Sequence, residues 1–269
     1  MVNELTLNPK LDGEDFAIPD KIKEAFFARK RTIEDTPLAL NNSPAQELAP
    51  GVVMIPGLWN VEEIRQSEGV VILEGPISNG YSKQVIEDAA KRFPGLPIKA
   101  VITTSDSWPH IGGLREYAAR GIPIYALDLN KPILDRLLSS QHRLSPDALA
   151  ASPNLSKVVY VSRRTKLGDK TNNIEIIPLR TLTGERQLAV YLPASKILYS
   201  SDLFQRDQSG DFFLPQTLSE AAAVVQREHL EVKVDIGMHL AATPWTDIAS
   251  AIARTPELPK SSATREASP

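Results

Sequence analysis

The residues with the clearest chemical potential lie in one short segment, Val101–Gly113, which reads VITTSDSWPHIGG. A strand-like run gives way to the polar residues Ser105, Asp106 and Ser107, and His110 then opens a helix-like run. Hydroxyl, carboxylate and imidazole groups at this spacing suit either a metal site or metal-free hydrolytic catalysis. No nucleophile-elbow pattern surrounds either serine, which disfavours serine catalysis.

The supply of metal ligands elsewhere in the chain is small. The 269 residues contain no cysteine and only four histidines, at positions 110, 142, 229 and 239. The absence of cysteine excludes disulfides, thiol catalysis and cysteine-ligated zinc. Any metal site must therefore combine one or more of these histidines with carboxylates. We expect His142 and His229 to be surface residues.

The elements that must position this loop alternate between strands and helices, which indicates an α/β protein. Residues 1–47 are predicted to form an N-terminal extension and linker, with a helix-like run at 20–31. The first half then predicts strands at 51–58, 69–74, 98–104 and 122–127, and helices at 81–93, 112–120 and 132–139. A linker is expected at 145–156. The second half predicts strands at 158–162, 174–178, 187–192, 196–200 and 232–237, and helices at 217–228 and 246–254.

Two segments of the first half resemble the metallo-β-lactamase superfamily. Ile98–Gly121 resembles the strand, loop and helix that carry the family's pattern His-x-His-x-Asp-His-x-Gly-Gly. Gly69–Gly75 resembles the family's second strand, with Glu74 near the position of the usual aspartate. The loop of the first segment keeps the Gly-Gly pair of the pattern but few of its metal ligands.

Two segments of the second half extend the resemblance, which spans residues 48–254. Tyr191–Phe204 resembles the hairpin that ends at the family's bridging aspartate, here Asp202. Asp235–Trp245 resembles the segment with the last metal-binding histidine, here His239. The resemblance implies a four-layer αβ/βα sandwich over residues 48–258, followed by a disordered tail at 259–269.

The resemblance also implies which metal ligands have been replaced. At the first metal site of the family, three histidines correspond here to Ser105, Ser107 and Thr181. A hydroxyl side chain is a poor substitute for imidazole on zinc, so this first site is not expected to bind metal.

At the second site, Pro109 replaces an aspartate, whereas His110, Asp202 and His239 remain. These three residues are the ligands expected for a single zinc or iron ion, with Asp106 as a further oxygen donor.

Two main hypotheses for function follow. In the first, the protein has a degenerate metal site, lacks dinuclear zinc hydrolase activity and binds no metal. It is then a pseudoenzyme or binding domain, with a small-molecule ligand in the old active-site cleft. In the alternative, one zinc or iron supports hydrolysis of an ester, lactone or amide through a metal-bound water, with Asp106 and His110 as catalytic residues. A metal-independent hydrolase is the third hypothesis, and structural roles for His110, Asp202 and His239 stay open.

Bulk composition excludes other classes of function. The net charge of −3 gives no electrostatic footprint for nucleic acid. No apolar run approaches the length of about 18–20 residues that spans a bilayer.

The first ten residues lack the apolar core of a signal peptide. The localisation is unknown: the sequence as written indicates the cytoplasm, and an upstream signal segment would indicate an extracytoplasmic protein. The oligomeric state is open.

Overall fold

The fold is built around two β-sheets. A computed structural model describes residues 8–13, 16–28, 32–39, 43–151, 157–168, 170–212 and 215–254. The first sheet has seven strands, which lie side by side in chain order: β1 Gln46–Ala49, β2 Val52–Ile55, β3 Val61–Gln66, β4 Gly69–Leu73, β5 Ile98–Ile102, β6 Ile124–Leu127 and β7 Val158–Val161.

The second sheet has six strands from the second half of the chain. They are β8 Thr165–Leu167, β9 Ile174–Pro178, β10 Leu188–Leu192, β11 Ile197–Tyr199, β12 Val234–Gly237 and β13 Leu240–Pro244. Their spatial order is β13-β12-β11-β10-β9-β8. β4 to β7 run parallel to one another in the first sheet, and β11 runs parallel to β12 in the second.

Helices cover the outer faces of the sheets. The helices among the described residues are α1 Asp20–Phe27, α2 Asn79–Arg92, α3 Trp108–Ile111, α4 Leu114–Ala119, α5 Lys131–Ser139, α6 Ala148–Ala151, α7 Pro215–Arg227 and α8 Trp245–Arg254. Short 3₁₀ turns occur at Ile33–Asp35 and Asp128–Asn130. No helix within the described ranges is long and apolar enough to cross a membrane.

The layers follow from the alternation of side chains along each strand. In β4, Val71 and Leu73 pack into the core between the sheets, whereas Val70 and Ile72 pack into the core beneath the helices of the first half. On the far side, Leu198 of β11 packs with residues of α7 and α8. Helix, sheet, sheet and helix thus form four layers, which confirms the predicted αβ/βα sandwich.

The extension packs against the start of α2. The Glu34 carboxylate accepts a hydrogen bond from the Gly80 backbone N–H at 2.5 Å, and the Tyr81 hydroxyl donates to the Leu38 carbonyl at 2.8 Å. Of the predicted helix at 20–31, residues 20–27 are helical and the described side chains there are exposed. We propose that the N-terminal extension ends near residue 47, inside β1. The predicted tail at 259–269 lies outside the described residues.

Two local predictions need correction. The helix expected at 112–120 is present as α4, but a separate short helix, α3, precedes it from Trp108. Pro109 lies in the first turn of α3, where its missing N–H and fixed φ cost little. The linker expected at 145–156 contains α6, because Leu149 is buried against the core and the Asp147 carboxylate caps the Ala150 N–H.

Candidate functional site

The candidate site lies where strands of both sheets end. Because β4 and β5 are parallel neighbours, their carboxyl ends place Glu74 and Thr104 at the same edge of the first sheet. β11 ends just before Asp202, and the turn between β12 and β13 carries His239. His110, on α3, lies among these residues.

His110 is fully buried, and each of its ring nitrogens faces a carboxylate. Nε2 lies 2.7 Å from Asp202 Oδ2, and Nδ1 lies 3.1 Å from Glu74 Oε1. A carboxylate ion can only accept hydrogen bonds, so the ring satisfies both contacts by carrying a proton on each nitrogen. The geometry is that of an imidazolium held between two carboxylates.

Hydroxyl groups complete this cluster. The Thr104 hydroxyl donates to Glu74 Oε1 and lies 2.8 Å from the Ser201 hydroxyl, and the Thr104 N–H donates to Glu74 Oε2 at 3.3 Å. Glu74 and Ser201 both adopt left-handed backbone conformations, with φ of 78° and 59°. Such conformations cost a non-glycine residue about 1–2 kcal/mol, so the hydrogen-bond network must hold them in place.

The electrostatics of the cluster agree with its geometry. Burial alone would lower the pKa of His110, but the charge of Glu74 and the hydrogen bond to Asp202 raise it to about 10. Burial opposes ionisation of Asp202, yet the hydrogen bond and charge of His110 lower the pKa of that carboxyl. Burial, followed by the charge of Glu74, raises the pKa of Glu62 well above its ordinary value.

His239 stands at the rim of the cluster. The buried Asn60 amide donates to the carbonyls of Gly237 and Leu240, which fixes the turn that carries His239. Nδ1 of His239 lies 2.9 Å from the Leu58 carbonyl, and its Nε2 lies 3.8 Å from Asp202 Oδ1. The structure therefore places His110 and His239 on either side of Asp202.

Asp106 has a different partner. Its carboxylate accepts a hydrogen bond from Arg186 Nε at 2.5 Å. Ser107 is exposed, and Ser105 is buried with its hydroxyl accepting the Ser107 N–H at 3.3 Å. The Thr181 hydroxyl accepts the Gly184 N–H at 3.0 Å, within a local turn. The side chains of Ser105, Asp106 and Thr181 are thus hydrogen-bonded to loop residues.

The observed arrangement does not fit a metal ion. An imidazole binds metal through a nitrogen lone pair, and both nitrogens of His110 are directed at carboxylates. Within the part of the chain that the structure describes, no group of three or more histidine, cysteine, aspartate or glutamate side chains is arranged to hold one. The three residues are neighbours, but one nitrogen of each histidine is directed away from a common point, at Glu74 for His110 and at the Leu58 carbonyl for His239.

Glu74 was not predicted from the sequence to be the partner of His110. The sequence did carry a sign of this role, because Glu74 directly follows the buried strand β4, and β4 pairs with β5, the strand that leads to His110. Asn60 and Leu58 carried no comparable signal, because their contacts with the turn at His239 join positions about 180 residues apart.

Solved structures with the same arrangement of layers support the resemblance. The DIM-1 metallo-β-lactamase matches with a TM-score of 0.60 and 14% identity, covering 78% of this chain and 95% of its own. A metallo-β-lactamase from Pontibacter korlensis matches with a TM-score of 0.59 and 15% identity, covering 78% of this chain and 97% of its own. This chain has the metallo-β-lactamase fold.

The metallo-β-lactamase fold also accommodates larger enzymes. The inverting sec-alkylsulfatase Pisa1 from Pseudomonas sp. matches 78% of this chain with a TM-score of 0.56 and 14% identity, through 40% of its own length. No family model matches the sequence of this chain. No curated protein matches it either. At such low identity the solved structures show the fold alone, and function must be argued from the site.

Proposed function

We propose that this protein is a metallo-β-lactamase-fold binding protein without dinuclear zinc hydrolase activity. It resembles hydrolases in its fold, and it holds an internal ion cluster where hydrolases of this fold hold metal. In this proposal Glu74, His110 and Asp202 form a structural support for a small-molecule cleft. We propose that the protein binds no metal cofactor.

One observation carries the proposal. His110 is fully buried between Glu74 and Asp202, and both of its nitrogens are directed at their carboxylates. An imidazolium supplies one positive charge between two carboxylates, so it neutralises part of their repulsion without any ion from solution. The hydroxyls of Thr104 and Ser201 support the same arrangement.

The alternative, a mononuclear metal-dependent hydrolase, requires a different arrangement of the same residues. His110 would have to lose a proton and turn one nitrogen away from its carboxylate, and His239 and Asp202 would have to converge with it on one point. Asp106 would also have to leave Arg186. The described contacts favour none of these changes.

Metal content is the experiment that tests the proposal. The full chain, purified without a metal-binding tag, is incubated with zinc, iron or manganese, desalted and measured by elemental mass spectrometry. We expect below about 0.1 equivalent of each metal, because a protonated imidazole has no lone pair to donate. Ester, lactone and β-lactam substrates should be turned over no faster than in buffer.

Matched histidine variants make the result specific. His239→Ala removes a candidate ligand at the site, and His229→Ala removes an exposed histidine elsewhere. About one equivalent of metal in the wild type and in His229→Ala, lost in His239→Ala, would refute the proposal and establish the mononuclear alternative.

A further inference from the structure

His239 presents an unused hydrogen-bond acceptor at the rim of the cluster. Its Nδ1 lies 2.9 Å from the Leu58 carbonyl, which can only accept, so Nδ1 carries a proton. In the neutral ring, Nε2 then holds a lone pair. That atom lies 3.8 Å from Asp202 Oδ1, too far for a direct hydrogen bond.

Asp202 presents a second unused acceptor to the same place. Its Oδ2 is engaged by His110, whereas Oδ1 is buried and has no hydrogen-bond donor within the described part of the chain. A buried carboxylate oxygen without a donor costs free energy. Asp202 Oδ1 and His239 Nε2 are 3.8 Å apart, and both can accept a hydrogen bond. A group that binds to both atoms must therefore be a hydrogen-bond donor.

An aromatic and aliphatic wall adjoins His239 at Leu58. Trp108 is two residues before His110 on α3, and 51% of its surface is exposed. Its ring lies 6.4 Å from that of Trp59, edge to face. Leu58, the neighbour of Trp59 and the residue that holds His239, is also exposed. Large apolar side chains left exposed at the rim of a polar site are typical of ligand contacts.

The charge of the cluster selects among donors. The cluster sets two carboxyl side chains, Glu74 and Asp202, around the single buried imidazole of His110. Aromatic faces also attract cations through the ring quadrupole. A cationic donor satisfies both acceptors and the aromatic wall, whereas an anionic ligand meets Asp202 with like charge.

We propose that the gap between Asp202 Oδ1 and His239 Nε2 binds the protonated amino group of a small ligand, whose apolar body lies against Trp108. This site gives the binding protein a ligand class, primary amines with an aromatic or aliphatic body. It rests on the proposed function, since a metal ion held by the same two side chains excludes the amine.

The test is isothermal titration calorimetry of the metal-free full chain with benzylamine, benzyl alcohol and benzoate. The three probes share one ring and differ in the charge and donor capacity of the polar group. We expect one saturable site for benzylamine, binding of benzyl alcohol at least about tenfold weaker, and no saturation by benzoate.

Variants locate the binding on the two acceptors. Asp202→Asn should weaken benzylamine binding at least about tenfold, since it removes the charge and replaces one acceptor oxygen by a donor. His239→Leu, which leaves the contacts of His110 in place, should weaken it severalfold. Asp247→Asn, which makes the same charge change on exposed α8, should leave it unaltered.

Equal affinity for benzylamine and benzyl alcohol, or benzylamine affinity unchanged in both Asp202→Asn and His239→Leu, would overturn the amine site. So would the absence of saturable benzylamine binding to protein shown to contain no metal, and in that case the proposed function still stands. Stoichiometric metal in the same samples instead refutes the proposed function itself.

Discussion

Two buried cations in this molecule, His110 and Arg115, are stabilised in different ways. Arg115 on α4 donates to both oxygens of Asp147, at 2.5 and 2.8 Å, and to the carbonyls of Leu137 and Ser140. This cluster ties α4 to the end of α5 and to the start of α6. His110 instead lies between two carboxylates at the edge where both sheets end.

The difference lies in what each cluster leaves unsatisfied. Both oxygens of Asp147 accept hydrogen bonds from Arg115, whereas Asp202 Oδ1 has no donor among the described residues. Buried ion pairs generally have a structural role, so a buried cationic side chain does not by itself indicate a functional site. An unsatisfied carboxylate oxygen beside exposed aromatic surface distinguishes the His110 cluster, which is why we propose the amine site there.

The largest expected effect comes from removing the imidazole. His110→Ala leaves Glu74 buried without its cation, so the free energy of unfolding should fall by about 3–5 kcal/mol. Urea denaturation followed by circular dichroism measures this change. A loss below about 1 kcal/mol would mean that His110 is not the charge that stabilises Glu74.

Removing the Arg115 guanidinium should lower the free energy of unfolding less than removing the His110 imidazole, and it should leave benzylamine binding intact. Arg115→Met should lower the free energy of unfolding by about 2–4 kcal/mol, because Asp147 is partly exposed and can regain water. Benzylamine affinity should stay within about twofold of wild type, since Arg115 lies outside the site. Arg120→Met, at an exposed position of the same helix region, is the matched control. Lost affinity in Arg115→Met alone would show that the two clusters are coupled.

The two clusters should respond to pH in opposite directions. The folded pKa of His110, about 10, lies above its ordinary value of 6.5, so its stabilising contribution is full below about pH 6.5 and is lost as pH rises towards 10. The hydrogen bond to Arg115 lowers the pKa of Asp147, so that contribution is present above pH 3.8 and is lost as pH falls further. Unfolding free energies of wild type, His110→Ala and Arg115→Met across pH test both signs. A wild-type minus His110→Ala difference that grows between pH 7 and 10 contradicts the first sign.

The smallest expected effect concerns the ion pair at the loop. Asp106→Asn should change the free energy of unfolding by about 1 kcal/mol or less, since the Arg186 partner of the half-buried Asp106 is exposed to solvent. Metal content and benzylamine affinity should stay at their wild-type values. A loss of affinity as large as that of Asp202→Asn would place Asp106 inside the site.

The fold could be predicted from the sequence because its signals are local. Apolar strands, helix periodicity and the Gly-Gly loop after Thr104 each lie within one short segment, and their order along the chain indicates the sandwich. The same order led us to expect His110, Asp202 and His239 at one site. What the sequence could not supply was the direction of their donor atoms, which depends on partners from distant segments. Asp202 is 92 residues from His110, and Asn60 is 177 residues from Gly237.

The protonation state of His110 decides whether its buried ring is an imidazolium held between two carboxylates. Two-bond correlation of ring protons with ¹⁵N in the metal-free full chain, at about pH 7, shows whether each ring nitrogen carries a proton. The His110 signals are assigned by their loss in His110→Gln. We expect both nitrogens of His110 to be protonated, because each lies next to a carboxylate, of Glu74 or of Asp202. A His110 ring with one unprotonated nitrogen would show that no imidazolium is held there and that the ring can bind a metal.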